Sequence, residues 1–173
     1  MDKSYADTVR LLLQVTPDVF ATTSLAMKGG TAINLFVRDM PMLLVDIDVV
    51  YAPWQTPREQ ALADIARELD AITRRLSKLG VNTRTVPSGD LEETKLLVGS
   101  GRSQVKIEVN AVFRGTVLPV ERRALVPTTA QMFSVELDVP MLAASPRARA
   151  EGPRRCRDGC RVARSIDHSS IER

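Results

Sequence analysis

Two aspartates stand inside an otherwise apolar run, residues 42–51, with the sequence MLLVDIDVVY. A short run rich in Val, Leu and Ile is typical of a strand buried in the middle of a sheet. Asp46 and Asp48 are two residues apart, so their side chains project from one face of that strand. Two neighbouring carboxylates repel each other, and a hard cation such as Mg²⁺ is the simplest compensation. The alternative is that both aspartates lie at a solvated end of the strand.

A glycine pair precedes this strand. A short apolar stretch, residues 25–28, predicts a first strand, and the helical spacing of TAINLFVRD predicts a helix from about Thr31. Between them, Gly29 and Gly30 let a ligand approach the backbone, and the N–H groups at a helix start bind phosphate oxygens. Lys28 adds a positive charge. The segment predicts a phosphate cradle beside the carboxylates, although a glycine pair alone also suits a plain turn.

A third acid, Glu108, lies within a later strand-like run at residues 104–112. If this strand neighbours the first, Glu108 can face the same ions as the two aspartates. Three carboxylates around a pair of metal ions suit phosphoryl-type transfer, in which one ion activates the attacking hydroxyl and the other the leaving group. The alternative is an acid on a solvated face, paired with Lys106 or Arg114.

The order of the remaining elements predicts the fold class. A helix is expected over residues 5–15, with a separate turn after Pro17, and a long amphipathic helix is expected between a cap at Thr56 and a stop at Gly80. Residues 115–142 suggest one further strand with connections. Three strand-like runs lie between, at residues 81–86, 94–99 and 104–112. We predict an α/β fold with helices flanking a mixed β-sheet.

The positive charge of the chain is concentrated near its C-terminal end. The net charge of +3 comes from an arginine-rich segment, and the remaining chain is close to neutral, which gives no bulk electrostatic argument for nucleic acid. We expect one catalytic domain over residues 1–142 and a basic tail over residues 143–173. The tail is either disordered or an aberrant, out-of-frame addition.

Within the tail, Cys156 and Cys160 with His168 provide too few ligands for a zinc site. The sequence has no membrane-spanning run and begins without an apolar signal region. We therefore expect a cytoplasmic protein that does not insert into a membrane.

Together, the segments MKGGTAINLFVRDMPMLLVDIDVVY and VKIEVNAVFRG resemble the AbiEii/AbiGii toxin family. This family is a branch of the nucleotidyltransferase superfamily, which has the DNA polymerase β-like fold. Its pattern is Gly-Gly-Thr or Gly-Gly-Ser, then Asp-x-Asp on a strand, then an acid on a later strand. The resemblance covers residues 25–115 and continues more loosely to Leu142.

The resemblance implies transfer of NMP from an NTP with Mg²⁺, in some relatives to the acceptor end of tRNA, and a cognate antitoxin as partner. It also implies that Glu108 helps to deprotonate the acceptor hydroxyl. The implied metal ligands and catalytic residues are Asp46, Asp48 and Glu108, and the implied nucleotide-binding residues are Lys28, Gly29, Gly30 and Thr31.

Two features depart from the family pattern. MLLV precedes the first aspartate where relatives carry Ser or Thr, and the arginine-rich tail stands where relatives continue into a helical region with a GGK-like lysine and an RDxxD-like motif. We therefore expect the N-terminal catalytic half of such an enzyme. The alternatives are a weak or inactive relative that acts as a nucleotide- or antitoxin-binding module, and a nucleotidyltransferase with a small-molecule acceptor.

Overall fold

A computed structural model describes residues 3–38, 45–87, 93–110, 116 and 119–143, which form four helices and seven strands. The helices are α1 (Lys3–Val19), α2 (Gly29–Phe36), α3 (Arg58–Lys78) and α4 (Pro127–Phe133). The strands are β1 (Leu25–Lys28), β2 (Asp46–Tyr51), β3 (Asn82–Pro87), β4 (Glu93–Ser100), β5 (Ser103–Asn110), β6 (Val120–Ala124) and β7 (Asp138–Leu142). None of the described helices is long and apolar enough to cross a membrane.

The seven strands form one mixed sheet in the order β3-β4-β5-β2-β1-β7-β6. The aspartate-bearing strand β2 is central, antiparallel to β1 and parallel to β5. On the side away from β2, strand β1 pairs in parallel with β7. Strand β7 pairs in turn with the antiparallel edge strand β6. The structure confirms the α/β fold with a mixed sheet and the central position of the aspartate-bearing strand.

The core lies against one face of this sheet. Alternate residues of β4 and β5 are fully buried, and α1 contacts both β5 and α3, which in turn contacts β3. Because side chains alternate between the two faces of a strand, the charged residues between the buried ones lie on the opposite face. The buried residues of these two strands are Leu96, Val98, Val105, Ile107 and Val109.

The helix boundaries differ from the prediction at three points. Helix α1 continues through Pro17 to Val19, because a proline in the last turn removes one backbone hydrogen bond and leaves the preceding turns intact. Helix α2 begins at Gly29, two residues earlier than expected. The N-cap of α3 is Pro57, one residue after the predicted cap, whereas Gly80 follows the helix with a φ of +72°, as a stop requires.

Several predictions lie outside the described residues. They concern Arg114, Cys156, Cys160, His168 and the tail beyond residue 143, together with the first part of the run at residues 42–51. The segment predicted as one further strand with connections contains β6, α4 and β7.

Candidate active site

Strand register brings four charged residues into one row across the sheet. Asp48 on β2 pairs with Lys28 on β1 and with Glu108 on β5. Glu108 pairs in turn with Lys95 on β4. Paired residues of neighbouring strands point to the same face, so this charged row (Lys28, Asp48, Glu108 and Lys95) crosses four strands on the face opposite the core.

Two lysines contact the acids directly. Lys106, which pairs with Asp46 across the strands, places its Nζ 3.2 Å from Asp46 Oδ2 and 3.2 Å from Glu108 Oε1. Lys95 Nζ lies 3.1 Å from the same Glu108 oxygen. These side chains are between 26 and 41 % exposed, so water screens the pairs and each contributes little to stability by itself. The main effect of these ion pairs is to position the carboxylates of Asp46 and Glu108.

The pKa values of the two acids in the row shift in opposite directions. Burial raises the pKa of Asp48, the charge of Lys28 acts against this, and the carboxylates of Glu108 and Asp46 add to the rise. Burial also acts to raise the pKa of Glu108, but hydrogen bonds from Lys95 and Lys106 outweigh it and lower that pKa. Hydrogen bonds to the carboxylates raise the pKa of Lys106. Glu108 is therefore ionised and Lys106 protonated at neutral pH.

The glycine pair forms the first turn of α2, directly after β1. Lys28 is the N-cap residue in an extended conformation, and no described side chain caps this helix start, which leaves its first N–H groups for other partners. Gly29 has a φ of +82°. A Cβ at this position would overlap Asp48 Oδ2 and lie 3.0 Å from its Cγ. Glycine is thus required both by the backbone and by the contact with Asp48.

Thr31, which the resemblance implies as a nucleotide-binding residue, is 1 % exposed in α2. Asn34, one turn further along the same helix, is also buried, and its Nδ2 has no hydrogen-bond partner within the described structure. The accessible part of the predicted cradle is therefore the backbone at the two glycines.

The donor chemistry of the site suits Mg²⁺, because three carboxylates share one sheet face and hard oxygen ligands are what this ion prefers. Among the described residues, no three His, Cys, Asp or Glu side chains are gathered closely enough to hold a metal ion. Lys106 instead lies between Asp46 and Glu108. The binding of a metal by these acids and Asp48 therefore stays a prediction, and it requires Lys106 to move from between Asp46 and Glu108.

The sequence pattern does not indicate that Lys95 is part of this site. The hairpin of β4 and β5 turns after Ser100, which pairs with Ser103. Counting outward from this two-residue turn brings Lys95 opposite Glu108. Recognising the turn in the sequence would therefore have predicted this pairing. The ion pair of Glu108 with Lys106, offered above as an alternative, is also present.

A mixed sheet with acids on one face, next to a glycine turn at a helix start, is consistent with a nucleotidyltransferase-type fold. The sequence model of one family, described as nucleotidyl transferase AbiEii toxin of type IV toxin–antitoxin systems, matches residues 10–147. The match spans most of the chain, and the protein belongs to this family. Comparisons with curated proteins and with solved structures gave no match. Membership confirms the resemblance and supports a nucleotidyltransferase toxin with a nucleotide substrate and an antitoxin partner.

Proposed function

We propose that the protein is a metal-dependent nucleotidyltransferase toxin that transfers NMP from an NTP to a hydroxyl group of an RNA. The contact between Asp48 and Gly29 carries the proposal, because it joins the acidic row to the glycine turn. Family membership supports the same class of reaction. The proposed acceptor, the 3′ end of tRNA, rests on the resemblance to the family alone.

The glycine turn would bind the phosphates of the nucleotide. The first N–H groups of α2 carry the positive end of the helix dipole and have no described capping side chain. Gly29 and Gly30 lack side chains that would keep a phosphate away from this backbone. Lys28 supplies a positive charge beside the turn.

The acids would hold Mg²⁺, which when bound neutralises phosphate charge and makes the acceptor hydroxyl more acidic. The acceptor oxygen bonds to the α-phosphorus while the bond from that phosphorus to the pyrophosphate oxygen breaks, and the hydroxyl proton passes to Glu108. In the metal-free protein Lys95 and Lys106 lower the pKa of Glu108 and make it a weaker base. This role therefore requires those contacts to change when the substrates bind.

Labelled NTPs, Mg²⁺ and total RNA test the proposal directly. We expect label at RNA 3′ ends, its loss in EDTA, and a decrease of about 100-fold or more for Asp48→Ala, which removes a carboxylate from the reacting centre. Circular dichroism checks that the variant remains folded. Asp70→Ala, on the exposed face of α3, is the matched control and should leave transfer unchanged. Equal labelling by wild type and Asp48→Ala would contradict the proposal.

The same assay separates the two alternatives. Mg²⁺-dependent NTP binding without transfer would favour a nucleotide- or antitoxin-binding module, and the contact of Lys106 with two of the acids makes this the stronger rival. A labelled small-molecule product distinct from the NTP and its hydrolysis products, with no label in RNA, would favour a small-molecule acceptor.

A further inference from the structure

One lysine ammonium lies between two of the acids assigned to the metal. Lys106 Nζ is 3.2 Å from Asp46 Oδ2 and 3.2 Å from Glu108 Oε1. We propose that Lys106 is an internal counterion that holds these two carboxylates in the metal-free protein and that a divalent cation must displace. The inference rests on the proposed function and adds a positioning residue to its site.

The need for such a counterion follows from the charges on this face. Asp46, Asp48 and Glu108 lie on two adjacent strands, and like charges at such separations repel more strongly as water is removed. A single ammonium equidistant from two carboxylates reduces that repulsion without a metal. It also holds one oxygen of each carboxylate 3.2 Å from a single ammonium nitrogen.

The geometry distinguishes Lys106 from the other lysines of this face. Lys106 is two residues from Glu108 on β5 and directly opposite Asp46 on β2, so one side chain reaches both acids. Lys95 makes an ion pair with Glu108 from β4. Lys28 pairs in register with Asp48 at the other side of β2. Lys106 therefore contacts Asp46 and Glu108 at the same time.

Displacement of Lys106 requires no movement of the backbone. Its side chain is 34 % exposed, and a lysine ammonium on a four-carbon stem is flexible and strongly hydrated. A divalent cation with two charges can therefore replace it while the ammonium turns toward water.

Lys106→Met tests this role because it keeps an unbranched apolar stem and removes the charge. The probe is Mn²⁺ alone, with binding to the full chain followed by electron paramagnetic resonance of the free ion. We expect Lys106→Met to bind Mn²⁺ about tenfold more tightly than wild type, since the ion no longer competes with a resident cation. In EDTA the variant should unfold at lower urea than wild type and should recover more on addition of Mn²⁺.

Two lysine variants control for charge alone. Lys95→Met removes the same charge and the ion pair with Glu108 but leaves the two contacts of Lys106 in place, so we expect a gain of no more than about threefold. Lys78→Met, exposed in α3, should bind Mn²⁺ as wild type does. Lys106→Gln serves as a second variant if Lys106→Met does not fold.

Unchanged or weaker Mn²⁺ binding by the folded Lys106 variants would overturn the inference, as would an equal gain in Lys95→Met. Either result would leave the proposed reaction intact, because RNA labelling tests that reaction separately. Absence of Mn²⁺ binding in wild type and in every variant would instead overturn the metal site itself, and the inference with it.

Discussion

Asp48 is the residue on which the site depends most. It lies against Gly29 on one side and pairs with Glu108 on the other, and burial raises its pKa. Lys28 offsets this only in part, so an ionised carboxylate in this position is unfavourable for folding unless a further cation compensates it. Residues at functional sites often carry a stability cost of this kind.

Asp48→Asn should stabilise the metal-free protein at about pH 7. A raised folded-state pKa means that wild type loses stability, relative to the neutral variant, as the pH rises through that pKa. The difference should disappear below the usual pKa of an aspartate, where the carboxyl group is protonated in both states. Because Asp48 is only half-buried, we expect less than about 1 kcal/mol. Urea unfolding in EDTA at several pH values measures this difference.

Asp70→Asn, on the exposed face of α3, controls for the loss of a surface charge and should change stability little. A folded Asp48→Asn that is less stable than wild type near neutral pH would show that the carboxylate already has a compensating partner.

Gly29→Ala should destabilise the protein more than Gly80→Ala does. Both residues have positive φ, +82° and +72°, so alanine strains the backbone at each. A Cβ at Gly80 meets nothing within 4 Å, whereas one at Gly29 overlaps the Asp48 carboxylate. We expect losses of about 1 kcal/mol for Gly80→Ala and about 2–4 kcal/mol for Gly29→Ala from urea unfolding. Equal losses would show that Asp48 moves aside at little cost.

At the scale of elements, the sequence predicts best where one local pattern decides the structure. The sequence of helix α3 has apolar residues at regular helical spacing and a glycine, Gly80, after its end. In the structure both ends of this helix lie within two residues of the predicted cap and stop. Helix α2 was predicted too late, because its first turn uses the positive φ of Gly29 directly after β1. The apolar spacing of a helix does not show where the helix begins when a single glycine determines its first turn.

The C-terminal elements were predicted least well. Strand β7 is short, and its neighbour β1 lies more than a hundred positions earlier in the sequence, so no local pattern indicates that they pair. The row of acids and lysines likewise depends on register. The sequence identifies Asp48 and Glu108 as acids on strands, but only the pairing of β2 with β5 makes them neighbours.

Ile72→Ala should show how much α3 contributes to the core. Ile72 is fully buried, so its loss leaves a cavity and should cost about 2–5 kcal/mol in urea unfolding. Leu79→Ala, at the end of the same helix, is the matched control. Leu79 is 40 % exposed, so we expect a loss below about 1 kcal/mol. Similar losses for both variants would contradict the observed packing of α3.

For the whole molecule, the described C-terminal strands complete the sheet beside the site. β7 covers the edge of β1 that faces away from β2, and Val139 and Met141 of β7 belong to the core. The N-terminal elements therefore need β7 both as a hydrogen-bonding neighbour and as a source of buried apolar area.

Two shortened chains test this dependence together with the expected domain limits. A chain of residues 1–143 should unfold at the same urea concentration as the full chain, since it keeps all seven described strands. A chain of residues 1–118 lacks β6, α4 and β7 and should show no cooperative transition, because β1 loses its parallel neighbour. A marked loss of stability in the 1–143 chain would show that the later residues contribute to the fold.

The alternation of faces along β2 ties the chemistry of the protein to its ability to fold. A shift of one residue in the register of the whole strand would turn Asp46 and Asp48 toward the apolar core and Ile47 toward water. Such a shift would disrupt the packing of the core and the arrangement of the candidate site together. A variant that keeps the fold but loses the proposed reaction can therefore arise by exchange of Asp46 or Asp48 alone, with the spacing along β2 unchanged.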